Sequence, residues 1–331
     1  MTGMPPPQRV LVTGGTGYLG RLVVSRLVGT GIPTVSVDIR APAAPRDGVV
    51  EVVGDLTEVD VPALLREHGT TAVVHLAAIV EPPRGMSDAE LESIEVGGTR
   101  AVLDACVASG IRHLTVLSSG AAYGYTARND GRALDEDAPT SGSPEFAYSR
   151  HKAMVEALVA RSRRLHPELG ILLLRPGTIL GSSTNNQITA LFRQPVVLGL
   201  RESETPFVFV WDEDVSEIIV RGVERGVTGT FNVAGDGTMT LADIAAAEGR
   251  RLVRLPAVAV RRALAVARRL GAGRYGPEQV DFLRHRPVLD NARLRRAFPG
   301  LPRLTSRETY ELYRRERSDP PDRRHPREGR A

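Results

Sequence analysis

The sequence predicts an α/β fold: a doubly wound parallel sheet with helices on both faces, joined to a smaller, mostly helical C-terminal part. Three observations carry this. Short apolar runs of strand length alternate with helically spaced stretches through the first 180 residues, the pattern that builds parallel sheets by crossover connections. Glycine, small or acidic residues follow each run, where such sheets place their ligands. Beyond residue 181 the alternation gives way to segments in which Arg alternates with Leu, Val and Ala.

Arg9-Val10-Leu11-Val12 reads as a buried strand. Thr13-Gly14-Gly15-Thr16-Gly17-Tyr18-Leu19-Gly20 follows, and residues 21–28 form a helix with Leu22, Val23 and Leu27 apolar. Strand, glycine-rich turn and helix together make a phosphate site: Gly14 permits the tight turn, Gly17 admits a pyrophosphate to the helix N-terminus, and Gly20 lets helix and strand pack closely. The reading is therefore a Rossmann-type dinucleotide site. Residues 34–37 are the second strand, with Asp38 at its carboxyl end, placed to accept hydrogen bonds from the adenosine ribose. An acid there repels a 2′-phosphate and favours NAD over NADP, a preference that Arg40 softens. Residues 49–53 form a third strand ending at Gly54-Asp55-Leu56, and residues 71–75 a fourth ending at Leu76-Ala77-Ala78. A helix is expected over 87–109, then a strand over 114–117 ending in Ser118-Ser119. About 25 residues of loop precede Tyr148, which opens a helix with Met154, Val155, Leu158 and Val159 on its apolar face. Residues 171–174 are the sixth strand, stopped by Arg175-Pro176-Gly177.

Further along, a short helix is expected over 185–194, a strand over 207–210, a helix over 214–224, a strand over 229–233 and a helix from Thr240. Residues 1–180 are read as the nucleotide-binding domain, with 207–247 returning to it. Residues 181–206 and 248–315 make the substrate-binding part, and 316–331 a disordered basic tail. Residues 256–270 are amphipathic and Arg-rich, and read as a core-packing helix with a solvated basic face in preference to a membrane-surface helix.

Composition narrows the class. With 331 residues, 42% of them hydrophobic and 25% charged, the chain can bury a large core. The single Cys106 excludes an internal disulfide and suits a reducing compartment. The first residues show no apolar signal core, and no apolar run approaches the roughly 18 residues of a membrane span. The expectation is a cytoplasmic protein. Residues 250–331 hold 22 arginines against 9 acidic residues, so with a net charge of +4 the first 249 residues carry a net −9. These arginines are scattered, without interleaved stacking aromatics or a nucleic-acid motif, and read as a solvated surface. No nucleic-acid or membrane partner and no metal site is expected.

The basic residues hold a sharper signal. Of 43, one is a lysine, Lys152, four residues after Tyr148. In a chain that uses Arg wherever a generic cation suffices, a retained lysine implies a position that a rigid, permanently charged guanidinium cannot fill. An exposed i,i+4 helix pair is the plain alternative.

Taken in order, the glycine turn, Asp38, Gly54-Asp55-Leu56, His75-Leu76-Ala77-Ala78, Ser118-Ser119-Gly120-Ala121-Ala122-Tyr123-Gly124, Tyr148 with Lys152, and Arg175-Pro176-Gly177 resemble the extended short-chain dehydrogenases/reductases, the NAD-dependent epimerase/dehydratase family. The resemblance spans about the first 180 residues. It implies Tyr148 as proton donor or acceptor, Lys152 as the cation that favours its phenolate and binds the nicotinamide ribose, and Ser119 as the hydroxyl that holds the reacting oxygen. It implies cofactor contacts from Gly14, Thr16, Gly17, Tyr18, Leu19, Gly20, Asp38, Arg40, Asp55, Leu56, Ala77, Ala78, Lys152 and Pro176, and a homodimer. Substrate contacts are expected from Ser119, Tyr148, Thr178, Asn186 and Phe207.

The chain departs from that pattern at three places. Glu95 stands where the family usually has Asn, Thr178 where sugar-nucleotide enzymes commonly have Asn, and Phe207 where they often carry the arginine that grips a diphosphate; Arg286 is a candidate to replace it. The resulting expectation is an NAD-dependent oxidoreductase moving hydride between nicotinamide and a carbonyl or secondary alcohol of a small organic substrate. The alternative is a nucleotide-sugar 4-epimerase or dehydratase with retained NAD. A non-catalytic NAD(P)-binding sensor is a third class, disfavoured because Tyr148 and Lys152 are both present.

Overall fold

The computed structural model describes residues 9–318, except 81, 84, 185 and 271–275. Strand β1 (Val10–Thr13) is buried throughout, and α1 (Tyr18–Gly29) begins three residues before the predicted start, with Gly17 as N-cap. There follow β2 (Thr34–Asp38), β3 (Val49–Val53), α2 (Val61–Glu67) and β4 (Ala72–His75). Helix α2 was not anticipated; Asp60 caps it by accepting the Ala63 N–H at 2.8 Å. The single helix expected over 87–109 is three pieces: α3 (Asp88–Glu92), opened by a Ser87/Glu90 capping box, a π-helical turn (Ser93–Gly97), and α4 (Gly98–Ala108).

After β5 (His113–Leu117), the loop before Tyr148 folds into two 3-10 turns (Gly120–Tyr123 and Ala127–Asn129) and a short strand, β6 (Ala133–Leu134). Helix α5 (Ala147–Leu165) carries Tyr148 in its first turn, and β7 (Gly170–Pro176) follows. The remaining elements are β8 (Thr178–Leu180), α6 (Gln187–Phe192), β9 (Val196–Leu200), β10 (Phe209–Trp211), α7 (Asp212–Arg225), β11 (Gly229–Val233), α8 (Leu241–Ala247), β12 (Arg251–Leu255), α9 (Ala257–Arg269), α10 (Gln279–His285), β13 (Val288–Leu289), α11 (Ala292–Ala297) and α12 (Ser306–Ser318).

Among the described residues the central sheet has seven parallel strands in the order β11-β7-β5-β4-β1-β2-β3. It is the expected doubly wound α/β sheet. Each face is covered by its own core. On one side α1 and α7 pack Val23, Leu27, Val215 and Ile219 against Val10, Val12 and Leu174. On the other, α2, α4 and α5 pack Leu65, Val102, Cys106 and Val155 against Leu11, Val73 and Leu114. Burial on both faces is why these strands read as continuous apolar runs. A third cluster, built on Phe192, Phe207, Phe209, Trp211, Tyr310 and Tyr313, lies beside the sheet in the second half of the chain.

Two details of the C-terminal half differ from expectation. The stretch 251–255 is a strand paired in parallel with β9, from Arg251 opposite Val196 to Leu255 opposite Leu200, and β13 pairs with β6. The Arg-Leu-Val-Arg-Leu pattern suits either period locally, and a partner about 55 residues away decides for strand. Helix α12 continues to Ser318, into the segment expected to be disordered from 316. Arg317 anchors this end by donating to Glu248 at 2.7 Å and packing its guanidinium 5.3 Å from the Tyr313 ring centre. Residues 319–331 lie outside the described residues.

Candidate active site at the carboxyl ends of the strands

The strand order reverses at β1, with β2 on one side and β4 on the other, so a crevice opens above the β1/β4 pair. The glycine-rich turn sits there. Gly14 has φ +71°, and a Cβ on it would stand 2.7 Å from the Ala77 backbone nitrogen, so turn and β4 loop meet with no room for a side chain. A Cβ on Gly20 would overlap the Gly14 carbonyl oxygen. Gly20→Ala is therefore expected to cost about 1–3 kcal/mol of stability and to lose NAD binding with it, read by a thermal melt and a cofactor titration. Full NAD affinity in that variant would remove the packing argument.

Nothing from a side chain caps the N-terminus of α1, and the Thr16 hydroxyl is buried without a hydrogen-bond partner in the turn itself. An orphaned hydroxyl beside uncapped helix N–H groups matches the needs of a pyrophosphate. At the end of β2, Asp38 accepts from the Thr16 N–H at 3.1 Å and the Arg40 N–H at 3.2 Å, so the carboxylate is held in place and still has lone pairs for ribose hydroxyls. The residues present therefore fit NAD. Arg46, which sequence reasoning passed over, braces this region. Its guanidinium donates to the Gly15 carbonyl at 3.0 Å and the Ser36 hydroxyl at 2.8 Å, and pairs with Glu51 at 2.6 Å. One arginine among so many carried no signal.

The other expected cofactor residues divide. Ala77 and Ala78 follow β4, and Pro176 ends β7 opposite Val233. Asp55 accepts from the Thr57 N–H and hydroxyl at 2.8 and 2.7 Å, forming a turn at the end of β3, while Leu56 packs partly into the core. The Leu19 side chain is buried in the core beneath α1, which leaves its backbone N–H for the site. Tyr18 points elsewhere: its hydroxyl donates to Asp212 and lies 2.8 Å from the Thr184 hydroxyl. Burial first, and then the Asp212 charge, pushes the Tyr18 phenol well above its ordinary range. Tyr18 thus ties the cofactor turn to the start of α7 and to the segment after β8.

Across the crevice, α5 brings up Tyr148 and Lys152. The Lys152 side chain is buried, 4% exposed, with its ammonium 5.6 Å from the centre of the Tyr148 ring and 3.0 Å from Glu95 Oε2. Burial works to lower its pKa, and the charges of Glu95, Tyr148 and Glu156 together more than offset this, so the ammonium is held above its usual range. The exposed-pair reading of Lys152 is thereby excluded. Beside it, His75 is wedged between the Thr13 and Thr99 hydroxyls at 2.7 and 3.1 Å. Burial, followed by the Lys152 charge, pushes its pKa down to about 4, so it is neutral at physiological pH.

The two serines after β5 face different ways. Ser118 is buried and donates to Glu156 at 2.6 Å, within a network where Arg175 grips Glu156 at 2.6–3.0 Å and donates to the Tyr123 hydroxyl at 2.7 Å. Ser119 is half-buried on the opposite side and caps the 3-10 turn Gly120–Tyr123. The Ser149 hydroxyl, next to Tyr148, donates to the Ala121 carbonyl at 2.6 Å, which fastens the first turn of α5 to the turn that Ser119 opens.

The expected substrate residues are less uniform. Thr178 begins β8 and pairs with Phe209. Asn186 caps α6, its side-chain oxygen accepting from Ile188 and Thr189 at 3.0 and 2.9 Å. Phe207 is 1% exposed, 5.8 Å from Phe209 in parallel stacking, and covered on its outer face by Arg286 at 3.7 Å. Arg286 is itself 4% exposed, donates to the Thr205 and Leu283 carbonyls, and has no carboxylate partner among the described residues. Burial pushes its pKa down to about 9, which still leaves it charged. Arg286 also lies 5.4 Å from the Phe282 ring centre, and Phe282 belongs to an aromatic group in which Tyr125 meets Phe146 at 4.9 Å and Phe282 at 5.3 Å.

Comparison with known proteins bears on the fold and the family. A UDP-glucose 4-epimerase of Azospirillum brasilense is 32% identical over 171 residues, which is 50% of this chain and 47% of that protein. An uncharacterised protein of Mycobacterium tuberculosis is 25% identical over 318 residues, 94% of this chain and 84% of that one. In fold, the chain is similar to the Thermus thermophilus UDP-glucose 4-epimerase solved with NAD, with a TM-score of 0.72 at 22% identity, covering 94% of this chain and 99% of that one. The model of the NAD-dependent epimerase/dehydratase family matches residues 10–234. With more than half of its length matched, the chain belongs to the NAD-dependent epimerase/dehydratase family and is an NAD-dependent enzyme.

Proposed function

We propose that this enzyme moves hydride between NAD and a carbonyl or secondary-alcohol carbon of a small organic substrate, with Tyr148, Lys152 and Ser119 as the working side chains. The observation that carries the reading is a buried ammonium 5.6 Å from the Tyr148 ring centre, supplied by the only lysine in the chain. NAD, when bound, supplies the hydride acceptor or donor. Thr16 and the first turn of α1 hold its phosphates, Asp38 its adenosine ribose, and Lys152 its nicotinamide ribose. Tyr148 gives its phenolic proton to a carbonyl oxygen, or takes one from an alcohol, and Lys152 favours the phenolate by proximity of charge. Ser119 fixes the reacting oxygen. Ser118 has no part in this, because its hydroxyl is committed to Glu156.

A second reading, a phosphate-bearing sugar substrate turned over without net redox change, is favoured by Arg286. A buried cation with an unpartnered Nε and no carboxylate beside it among the described residues suits an anionic group, and it packs on Phe282, which meets Tyr125. The relative in Azospirillum brasilense, a UDP-glucose 4-epimerase, supports the same view. A reducing compartment, which the single buried Cys106 suits, and a homodimer complete the proposal.

One experiment separates the readings. Purified protein is offered a panel of ketones and alcohols, monitored by NADH absorbance, beside a panel of UDP- and dTDP-sugars analysed for epimerised or dehydrated product. Steady NADH turnover supports the first, and sugar conversion without added NAD supports the second. Lys152→Arg is expected to lower turnover about a hundredfold or more in either case. The larger planar guanidinium cannot occupy a closed pocket shaped for a point charge 3.0 Å from Glu95. Wild-type rates in that variant would overturn the assignment of Lys152.

A further inference from the structure

Glu95 is a carboxylate in an unusual place. It sits in the π-helical turn between α3 and α4, 3% exposed, where the added residue per turn rotates the side chains that follow around the helix axis. Both oxygens are used: Oε1 accepts the Ile79 N–H beyond β4, and Oε2 accepts from Lys152 Nζ at 3.0 Å. The turn is further pinned by the Thr99 hydroxyl, which donates to the Glu95 carbonyl at 2.7 Å. A neutral amide has one acceptor oxygen and no charge, so it cannot accept through two separate oxygens while neutralising the ammonium. We infer that Glu95 is a positioning residue that holds the Lys152 ammonium and raises the pH at which Tyr148 exchanges its proton. This rests on the Tyr148–Lys152 reading above.

Lys152, 5.6 Å from the Tyr148 ring centre, favours the Tyr148 phenolate, and a carboxylate 3.0 Å from the same ammonium offsets that charge and so opposes it. The other groups facing this centre do not duplicate the effect. His75, from β4, is neutral. Glu156, one turn beyond Lys152 on α5, is neutralised by Arg175. Arg150 and His151 of α5 face Asp88 and Glu92 of α3; His151 also feels the Glu95 charge, but burial first and then Arg150 hold its pKa below the usual range. Tyr125 adjoins Tyr148 as a buried, neutral phenol, its pKa raised by burial first and then by Tyr148. Glu95 is the carboxylate bonded to the ammonium itself.

The test is an ultraviolet titration of phenolate in full-length protein with saturating NAD, taken as wild type minus Tyr148→Phe, so that one tyrosine is followed. Glu95→Gln is expected to lower the midpoint by about one pH unit, which is about tenfold more phenolate at a given pH below it. Glu95→Asp, which keeps the charge, is expected to stay within a few tenths of a unit. An unmoved or raised midpoint in Glu95→Gln overturns the inference, because a merely structural role would lower stability without that downward shift. Lys152→Met separates the two levels of the argument. If it fails to raise the midpoint, the Tyr148–Lys152 reading itself is wrong. If it raises the midpoint while Glu95→Gln leaves it fixed, only the role of Glu95 falls. Should Glu95→Gln not fold with an unpaired ammonium inside, the comparison is made in the Lys152→Met background. There Glu95→Gln must still lower the midpoint, and no change overturns the inference.

Discussion

Glu156→Ala is expected to destabilise the folded chain by about 3–5 kcal/mol, the loss typical when one partner of a buried ion pair is removed. Glu156 is 5% exposed and accepts from Ser118 and from two nitrogens of Arg175. Its removal strands a guanidinium that is 6% exposed and cannot give up its proton, together with a buried hydroxyl. Arg175 keeps its bonds to the Tyr123 hydroxyl and the Glu136 carbonyl, at 2.7 and 3.0 Å, but these leave its charge unpaired. Thermal unfolding measures this directly, and a fall of roughly 10 °C is expected for a domain of this size. The double variant Glu156→Leu with Arg175→Met should lose much less, since replacing a whole buried pair with apolar groups is often nearly neutral. A single variant no worse than the double would mean that the pair is not closed to solvent.

The second large effect is chemical. Tyr148→Phe is expected to reduce turnover by about 10²–10⁴-fold, the usual contribution of a placed general acid or base. The ring remains to pack at the start of α5, so stability and NAD affinity should change little. That separation is the point of the measurement: a large fall in kcat with NAD binding retained assigns the hydroxyl to proton transfer. If kcat stays within a few-fold of wild type, the proton moves through another group and the proposed mechanism fails.

How much of this was visible in the chain follows from the range of each interaction. The glycine turn, the strands of the central sheet and the spacing of Tyr148 and Lys152 are local patterns, and each reappears in place. The choice of Ser119 over Ser118 comes from the family resemblance; in the structure Ser118 is committed to Glu156, while Ser119 caps the following 3-10 turn. What stayed hidden is long-range or isolated. Tyr18 reads as a cofactor contact because it sits in the turn, yet its hydroxyl is drawn to Asp212, 194 positions later. Strand β12 depends on β9 for its identity, and no local preference separates it from helix. Arg46 is a single arginine in an arginine-rich chain, so composition hid its bracing of the glycine turn, whereas Arg286 was singled out only because Phe207 stands where an arginine is usual. Glu95 was noticed as a departure, but the ammonium it holds is 57 positions away and belongs to another helix.

The solitary lysine has a practical meaning for labelling chemistry. Amine-selective acylating reagents ordinarily scatter over a protein surface, because lysines are common there. In this chain they meet one side-chain amine, and it lies in the interior beside Tyr148. Once the more reactive α-amine of the chain is blocked, its rate of acylation reports a single, defined location, and bound NAD or substrate would register as protection. The same arginine-for-lysine usage that leaves the surface without lysine amines makes this buried position an intrinsic side-chain probe.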